Sequence, residues 1–449
     1  MDHLLAVFAE NQGRDAMVWA DKCYGYGWLT NRIEAWDERC RADGVDAGTV
    51  VGIRGDFSPD DVALFLALAQ RSCVIVPLPT DAEVPDAELA ELAEIEHVYE
   101  PLDGPEVRSR PTGRSARNEL YAQFRTIGRP GLVLFSSGTS GVRKAALHDL
   151  ERVLEPFQTP RKPYRALAFL LFDHIGGINT MLRVLSSGGC LVVPSDRSPD
   201  AVLAAVAAHR VELLPTSPSF LNLMLVSGAH TRHDLSLLRL VTYGTEPMPE
   251  ATLKRLAEVL PDVDLRQTYG LSEVGILSSR SRELDSLWVQ IGGPGFETRV
   301  VDGVLEIRSR SAMLGYLNAP SPFSADGWFP TGDLVETDGD YLRILGRAVE
   351  VVNVGGKKVH PSIVENVLHE VEGVAEATAY GEKNALLGSI VCARVRPSTA
   401  EQPKELVRRI KEHCRERLAP HEVPVRVVID DEPHHGDRYK KLRSHRRRP

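Results

Sequence analysis

Residues 131–148 read GLVLFSSGTSGVRKAALH, a short apolar run followed by a loop rich in hydroxyl groups and glycine. The run at 132–135 has the composition of an interior β-strand. The serines, threonine and glycines after it let the backbone turn and offer hydrogen-bond donors to a polyanion. Arg143 or Lys144 could neutralise the bound charge. The stretch therefore predicts a phosphate-binding loop at the end of a buried strand.

Two well-known loops do not match this stretch. A P-loop needs glycine just before its lysine and a hydroxyl residue just after it, whereas Lys144 lies between Arg143 and Ala145. A nucleophile elbow needs the pattern Gly-x-Ser-x-Gly, and the glycine after Ser140 comes one position too early. A flexible Gly/Ser turn without function is the remaining alternative from this stretch alone.

The composition is that of a globular protein with a large core. The chain has 449 residues, 43% hydrophobic and 26% charged, which predicts two or more domains. A formal net charge of −9 argues against general nucleic-acid binding, for which basic domains are typical.

No membrane span or secretory signal is predicted. No apolar run approaches the roughly 18 residues that a membrane helix needs, and the first residues are acidic and weakly apolar. The six cysteines are far apart and form no CxxC pair, which indicates a reducing environment rather than a disulfide framework or zinc site. We expect a cytoplasmic protein.

Helices and strands are predicted to alternate from residue 30 to about 193. Helices are expected at 31–41, with Thr30 as the N-cap, and at 59–70 and 200–208. Strands are expected at 50–55, 73–78, 190–194 and 211–216. This alternation predicts an α/β fold with mainly parallel, helix-flanked sheets.

The pattern changes after about residue 285. Strands at 304–309, 341–347 and 349–356 are separated by Gly and Asp turns, which predicts an antiparallel, β-rich subdomain. A compact α+β pattern follows, with helices at 361–371 and 402–418 and strands at 375–379, 389–395 and 425–429. We predict a large N-terminal domain over 1–346 and a small mobile C-terminal domain over 347–449.

Further motifs recur downstream of the loop in a fixed order. They are QTYGLSEVG (267–275), MLGYLNAP (313–320), GWFPTGDL (327–334) and LGRAVEVVNVGGKKVHPSIVE (345–365). Together with the first stretch they resemble the motifs of the adenylate-forming superfamily, which includes acyl- and aryl-CoA synthetases, luciferase and peptide-synthetase adenylation domains. The resemblance spans nearly the whole chain.

The resemblance implies a reaction in two steps. ATP and a carboxylic acid, fatty or aryl, give an acyl-adenylate and pyrophosphate, and the acyl group then passes to coenzyme A. The implied cofactors are ATP, Mg²⁺ and coenzyme A. Two alternatives remain at this point: loading of a carrier-protein pantetheine, and a nucleotide-binding homologue that has lost catalysis. No nucleic-acid partner is expected.

The resemblance also implies a role for each motif position. Anionic reactants need positive charge and oriented donors where charge builds up, and a hard cation needs oxygen ligands. The implied nucleotide-binding residues are Ser136, Ser137, Gly138, Thr139, Ser140, Gly141, Lys144, Gly244, Thr245, Glu246, Tyr269, Gly270, Ser272, Asp333 and Arg347. Glu273 would hold Mg²⁺ and serve in catalysis, while Tyr269 would lie against adenine and Asp333 would accept from the ribose.

The segment LLFDHIGGINTML (170–182) indicates the type of substrate. His174 and Gly177 resemble the His-x-x-Gly of acyl- and aryl-CoA synthetases, in which the histidine lies near the acyl carboxylate. Asp173 could instead hold the ammonium of an amino acid, but the small residues that follow favour the histidine alignment. His174 is therefore predicted to be catalytic and, with Gly177, to line the acyl site. A purely structural histidine is the alternative.

The C-terminal domain departs from the family pattern at two places. The hinge residue, usually Asp or Lys, is Val349. The catalytic lysine normally lies in Gly-Lys-x-x-Arg, whereas PHHGDRYKKLR (433–443) best preserves the spacing with Lys440, preceded by Tyr439. Lys441 is the second choice.

By the same resemblance, Gly355 and Gly356 would line the acyl-acceptor tunnel. The sequence leaves open which acid is used, whether the acceptor is coenzyme A or a carrier protein, which of the two lysines acts, and the oligomeric state.

Overall fold

The computed structural model describes residues 1–80, 86–101, 107–137, 143–159, 161–283, 285–398, 401–436, 439 and 441. The helices are α1 Asp2–Glu10, α2 Tyr26–Ala42, α3 Pro59–Gln70, α4 Asp86–Leu92, α5 Glu119–Ile127, α6 Leu150–Leu154, α7 Ile175–Leu185, α8 Pro199–Ala208, α9 Pro218–Val226, α10 Glu250–Val259, α11 Pro361–His369 and α12 Pro403–Arg417. Short 3₁₀ turns lie at Glu155–Phe157, Ala229–Thr231 and Ala348–Glu350.

The strands of the first 267 residues are β1 Asp15–Trp19, β2 Lys22–Gly25, β3 Val50–Arg54, β4 Val74–Leu78, β5 His97–Pro101, β6 Val107–Pro111, β7 Gly131–Ser137, β8 Arg143–Asp149, β9 Arg165–Leu167, β10 Cys190–Val192, β11 Leu213–Thr216, β12 Leu240–Tyr243 and β13 Asp264–Gln267. They form two seven-stranded sheets, one of which also includes the later strand β19 at Gly315–Tyr316. The sheet ordered β13-β12-β11-β9-β10-β1-β2 is parallel except at β2, and the sheet ordered β19-β8-β7-β4-β3-β5-β6 is parallel at its centre.

The remaining strands are β14 Tyr269–Leu271, β15 Gly275–Ser281, β16 Val289–Gly292, β17 Phe296–Val301, β18 Val304–Ser309, β19 Gly315–Tyr316, β20 Phe329–Asp338, β21 Tyr341–Arg347, β22 Val352–Val354, β23 Lys357–Val359, β24 Val374–Asn384, β25 Gly388–Pro397 and β26 Arg426–Ile429. The antiparallel sheet β14-β15-β16-β21-β20-β18-β17 is followed by a C-terminal sheet in which only the described β25–β26 pair is parallel. The α/β class with a β-rich part and a small C-terminal domain is confirmed.

The large core is shared by the two parallel sheets. Helix α3 is buried on almost all sides and packs with strands of both sheets, as expected of a helix that is apolar all round. Its N-terminus is fixed by a capping box, in which Ser58 Oγ accepts from Asp61 N at 3.1 Å. These contacts make the two sheets one framework for the loops at their edges.

The C-terminal domain has its own core, built from residues of β22–β26, α11 and α12. The antiparallel sheet ends at Arg347, and the next strand begins at Val352. Our boundary after residue 346 stays a prediction. Among the described residues, no helix combines the length and apolar character needed to cross a bilayer.

Some predicted element bounds were wrong. The helix predicted from residue 31 begins at Tyr26, and its N-cap Gly25 offers no side-chain bond. The strand predicted over 349–356 is a 3₁₀ turn followed by the short strand β22. In the first case no capping side chain marks the start; in the second, apolar residues continue through a turn.

Candidate active site

A small crevice, lined in part by Glu246, lies where four parallel strands end together. In the register of the sheet, Thr216 of β11 lies beside Tyr243 of β12, which lies beside Gln267 of β13. Strand β9 is the next neighbour and ends at Leu167. The segments that leave these strands therefore meet at one edge, which is where open α/β sheets bind ligands.

The loop after β12 has a constrained backbone. A Cβ on Gly244 would lie 2.6 Å from the Thr268 carbonyl oxygen, so only glycine fits. Exposed Thr245 has φ +74°, a left-handed value that threonine rarely adopts. Glu246 is partly buried, and its Oε1 accepts from the backbone N–H of Ser219 at 2.7 Å. Strain of this kind is concentrated at ligand-binding positions.

Tyr269, Asp333 and Arg347 form a bonded group beside this loop. The Tyr269 hydroxyl donates to Asp333 Oδ2, and Arg347 Nε lies 2.8 Å from Asp333 Oδ1. Arg347 also donates to the Thr331 carbonyl at 2.9 Å. Burial, followed by the Asp333 charge, raises the pKa of Tyr269 well above its usual value, so the phenol stays protonated as a donor. Three predicted nucleotide residues are thus brought together by direct contact.

The predicted phosphate loop joins the antiparallel strands β7 and β8. Ser136 lies opposite Lys144 in the register. Lys144 Nζ lies 4.8 Å from the centre of the Tyr316 ring, close enough for a cation–π contact. Of the other predicted loop residues, Gly138, Thr139, Ser140 and Gly141 lie outside the described residues, as does the side chain of Ser137.

Tyr316 connects this hairpin to the predicted magnesium residue. Its hydroxyl donates to Glu273 Oε1 at 2.7 Å and lies near the Ser136 side chain. Tyr316 lies in one of the sequence motifs, but no role was predicted for it. The signal was the Gly-Tyr pair in MLGYLNAP.

Ser272 and Glu273 lie in the turn between β14 and β15. Gly270 precedes this turn, and a Cβ there would meet Ile276 Cδ1 at 2.5 Å. Behind the turn lies the ring of His148, which is 0% exposed. Burial lowers the pKa of His148 to about 4, against the opposing effect of backbone groups of Ser311 and Ser272. The buried ring is therefore neutral at physiological pH, and neither of its nitrogens has a hydrogen-bond partner within normal geometry among the described residues.

His174 and Gly177 lie at the start of α7, just after the end of β9. His174 is the N-cap residue, with extended backbone angles. A Cβ on Gly177 would lie 2.0 Å from the Leu171 carbonyl oxygen, so glycine lets the helix pack on the preceding loop. This packing requirement explains Gly177 whether or not an acyl group lies nearby.

The predicted C-terminal residues lie at separate places. Lys440 is outside the described residues. Lys441 Nζ lies 3.0 Å from Glu365 Oε2, and both side chains are largely buried. Val349 is 72% exposed in the 3₁₀ turn that joins the antiparallel and C-terminal sheets.

Gly355 and Gly356 form the two-residue turn of the β22–β23 hairpin, with φ +58° and +87°. Positive φ at both positions favours glycine in such a turn. A groove of about 370 Å³ beside Gly355 is lined by residues of the C-terminal domain. The tunnel role of the two glycines therefore stays a prediction.

Two family models match the chain: AMP-binding enzyme over residues 90–317, and AMP-binding enzyme C-terminal domain over residues 363–436. The first match covers half of the chain. The chain therefore belongs to the AMP-binding enzyme family, and the adenylate-forming resemblance is confirmed.

Particular relatives are CoA ligases. The chain is 29% identical over 335 residues to a (7a-methyl-1,5-dioxo-octahydro-1H-inden-4-yl)propanoyl:CoA ligase of Mycobacterium tuberculosis, covering 70% of this chain and 66% of that protein. It is 24% identical to the indoleacetate–CoA ligase of Aromatoleum aromaticum, covering 94% and 92%. The fold matches the anthranilate CoA ligase AuaEII in complex with anthranoyl-AMP, with a TM-score of 0.82 at 18% identity over 98% of this chain and 95% of that chain.

Proposed function

We propose that this protein is an AMP-forming acid–thiol ligase that converts a carboxylic acid, fatty or aryl, to its coenzyme A thioester through an acyl-adenylate. One observation carries the proposal: Lys144 and Glu273, predicted to hold the phosphates and magnesium, both contact Tyr316, while Tyr269 and Arg347 both bond Asp333. Family membership and the CoA ligases among the relatives support the same reaction.

In the first step, a carboxylate oxygen attacks the α-phosphorus of ATP, and the bond to the bridging oxygen breaks to release pyrophosphate. Lys144 and the Ser136 hydroxyl, on facing strands, neutralise and orient the outer phosphates. Asp333 accepts from the ribose hydroxyls, with Arg347 holding the carboxylate in position. His174 lies near the acyl carboxylate, and Lys440 supplies positive charge.

In the second step, the coenzyme A thiolate attacks the acyl carbonyl carbon, and AMP leaves. Gly355 and Gly356 line the path of the pantetheine arm after the C-terminal domain turns about Val349. A domain motion of this kind requires only a few residues that absorb φ/ψ change, and Val349 lies in an exposed turn.

Glu273 fits a magnesium ion that is shared with the nucleotide. Mg²⁺ is commonly held by one or two carboxylates together with phosphate oxygens, and no cluster of three ligating side chains lies among the described residues. When bound, Mg²⁺ would neutralise phosphate charge. Glu273→Gln keeps a hydrogen-bond acceptor for Tyr316 but removes the negative charge that would hold the cation. We therefore expect acid-dependent ATP–pyrophosphate exchange by this variant to require at least about 10-fold more Mg²⁺. An unchanged Mg²⁺ requirement would remove this role.

The deciding experiment measures pyrophosphate release for a panel of short, long and aryl acids, with coenzyme A, with a pantetheinylated carrier protein, or with neither acceptor. Acid-dependent release together with acyl-CoA formation is the expected result. Thioester formation on the carrier alone would replace coenzyme A as the acceptor. ATP binding without acid-dependent exchange would contradict the ligase assignment.

The catalytic lysine is tested by comparing Lys440→Ala with Lys441→Ala. We expect Lys440→Ala to abolish exchange while the fold is retained. Lys441 already pairs with Glu365 in the C-terminal domain, so its loss should mainly lower stability. Loss of exchange in Lys441→Ala alone, at unchanged stability, would reverse the assignment.

The scattered, free cysteines support the cytoplasmic location, which stays part of the proposal.

A further inference from the structure

A short turn near the end of the chain contacts both domains. His435 and Lys441 form an antiparallel bridge, and Tyr439 N donates to the Gly436 carbonyl at 2.9 Å. On the C-terminal side, Lys441 Nζ bonds Glu365, and the buried His434 Nδ1 lies 3.0 Å from Thr378 Oγ1. The turn is therefore attached to the C-terminal domain by buried polar contacts.

Tyr439 contacts the large domain through its aromatic ring. Its ring centre lies 5.4 Å from that of Phe169 and 5.6 Å from that of Phe220. It also stacks on His435, with an interplanar angle of 18° and centres 4.7 Å apart. Phe169 follows β9, and Phe220 lies in the first turn of α9 after β11, so the ring lies at the carboxyl edge that forms the crevice.

The acceptor of the Tyr439 hydroxyl is itself fixed. The hydroxyl donates to the Arg197 carbonyl oxygen. The guanidinium of Arg197 bonds the Phe169 carbonyl at 2.8 Å and Asp56 Oδ2 at 2.7 Å. The hydrogen bond from the Tyr439 hydroxyl therefore ends on a backbone segment that is itself held in place, and this fixes the orientation of the Tyr439 ring.

Glu246 supplies a second attachment point. Its Oε2 accepts from the backbone N–H of Lys441 at 3.0 Å, while its Oε1 accepts from the N–H of Ser219. One carboxylate of the loop after β12 thus joins the C-terminal turn to the start of α9. Tyr439 and Lys441, the two residues that flank Lys440 in sequence, are both bonded to the large domain.

We infer that Tyr439 is a positioning residue that docks the C-terminal turn on the crevice for acyl-adenylate formation. The inference rests on the proposed function. The aromatic contact with Phe169 and Phe220 supplies binding energy, and the hydroxyl supplies orientation. Release of this contact frees the turn for the second half-reaction, so Tyr439 affects the two half-reactions unequally.

Tyr439→Ala and Tyr439→Phe test the inference in the full-length enzyme. We expect Tyr439→Ala to lower kcat for acid-dependent ATP–pyrophosphate exchange by about 10-fold or more, because it removes two aromatic contacts and a hydrogen bond. Transfer from supplied acyl-adenylate to coenzyme A should change by less than about 3-fold. Tyr439→Phe should recover most of the exchange, since it retains the ring.

Tyr24→Ala is the matched control. Tyr24 is a partly buried tyrosine on the edge strand β2, and its ring meets that of Trp28 edge-on at 4.7 Å. The Tyr24→Ala substitution should leave the rates of both half-reactions unchanged. An equal loss of both half-reactions in Tyr439→Ala, or no loss of exchange, would overturn the inference.

Amide hydrogen exchange separates this inference from the proposed function. The Lys441 amide, which donates to Glu246, should exchange at least about 10-fold faster in Tyr439→Ala than in the parent protein, without any substrate. Unchanged protection would overturn the docking role even if catalysis were altered. If the parent showed no ligase activity but this protection were lost in the variant, the function would fail and the docking contact would stand.

Discussion

Asp333 is the residue on which the nucleotide group depends most directly. Asp333→Asn leaves Arg347 Nε without a charged partner and weakens the bond from Tyr269. Hydrogen bonds to charged groups contribute about 1.5–3 kcal/mol, so we expect KM for ATP to rise by about 10- to 100-fold. Steady-state exchange at varied ATP measures this.

Asp338→Asn is the control for this change. Asp338 is the last residue of the same strand, and its carboxylate is 61% exposed beside Arg282. Replacement of Asp338 should alter the KM for ATP by less than about 2-fold, because an exposed ion pair contributes little. Equal effects of the two variants would show that the Asp333 contacts do not position the nucleotide.

His148 should make stability depend on pH. Its folded pKa of about 4 lies below its ordinary value of 6.5, so the unfolded chain binds a proton first as pH falls. The stability from the neutral ring is complete above pH 6.5 and is lost toward pH 4, by about 3 kcal/mol in total. Urea unfolding of the parent and His148→Gln from pH 7 to 4.5 should show a steeper loss in the parent.

The relevant quantity is the difference in pH-dependent stability between the parent protein and His148→Gln, because other buried groups titrate in the same pH range. Burial raises the pKa of Asp61 to about 7, which acts with the opposite sign: the folded chain keeps this proton longer, so stability falls as pH rises from 3.8 toward 7. Burial also lowers the pKa of His369 to about 3. Parallel pH profiles for parent and variant would contradict the assignment to His148.

At the scale of the elements, the start of α7 offers a test with two neighbouring glycines. A methyl on Gly177 would lie 2.0 Å from a backbone oxygen, whereas one on Gly176 would meet the flexible end of Leu170 at 2.9 Å. We expect Gly177→Ala to lower the free energy of unfolding by about 2–3 kcal/mol. Chemical denaturation measures the change.

Gly176→Ala should cost less than about 1 kcal/mol, because the side chain of Leu170 can move. If Gly177→Ala retained full stability but lost activity only toward bulky acids, the glycine would serve the acyl site rather than helix packing.

Elements with a local start signal were predicted well from the sequence. Helix α3 was predicted at 59–70, where Ser58 and Pro59 mark the start, and it spans Pro59–Gln70. Helix α2 has no capping side chain, and its true start was missed by five residues. The antiparallel partner of β7 was not predicted either, because pairing of strands depends on distant contacts that periodicity does not record.

At the scale of the whole molecule, the separate C-terminal core gives a test of the domain boundary. The nucleotide group lies in residues up to Arg347, while the C-terminal cluster begins at Val352. We expect a fragment of residues 1–350 to fold and to bind AMP, with AMP at 100 times its Kd adding about 2.7 kcal/mol of stability. Calorimetry with and without AMP measures this.

The same fragment should lack acid-dependent exchange, because it contains neither Lys440 nor the turn at Tyr439. The full-length chain is the control. An insoluble fragment, or one whose unfolding does not respond to AMP, would show that a division after residue 350 cuts through a cooperative unit.

The sequence motifs contain most of the residues that the structure brings together at the candidate site, although the roles given to these residues stay predictions. They did not predict how the motifs meet. The bond from Tyr316 to Glu273 joins residues 43 positions apart, and that from Tyr439 to the Arg197 carbonyl joins residues 242 positions apart. Contacts of this range arise from the packing of whole sheets and domains.

The distribution of the thiols has a practical consequence. Cys23 is exposed on β2, at the opposite edge of its sheet from β13, while the other five cysteines are buried. Burial raises the pKa of Cys73 to about 12, so that thiol stays unreactive at neutral pH. A maleimide fluorophore therefore has one accessible attachment site on the native chain, Cys23. Energy transfer from this dye to a second dye on the C-terminal domain would report the motion of that domain during catalysis.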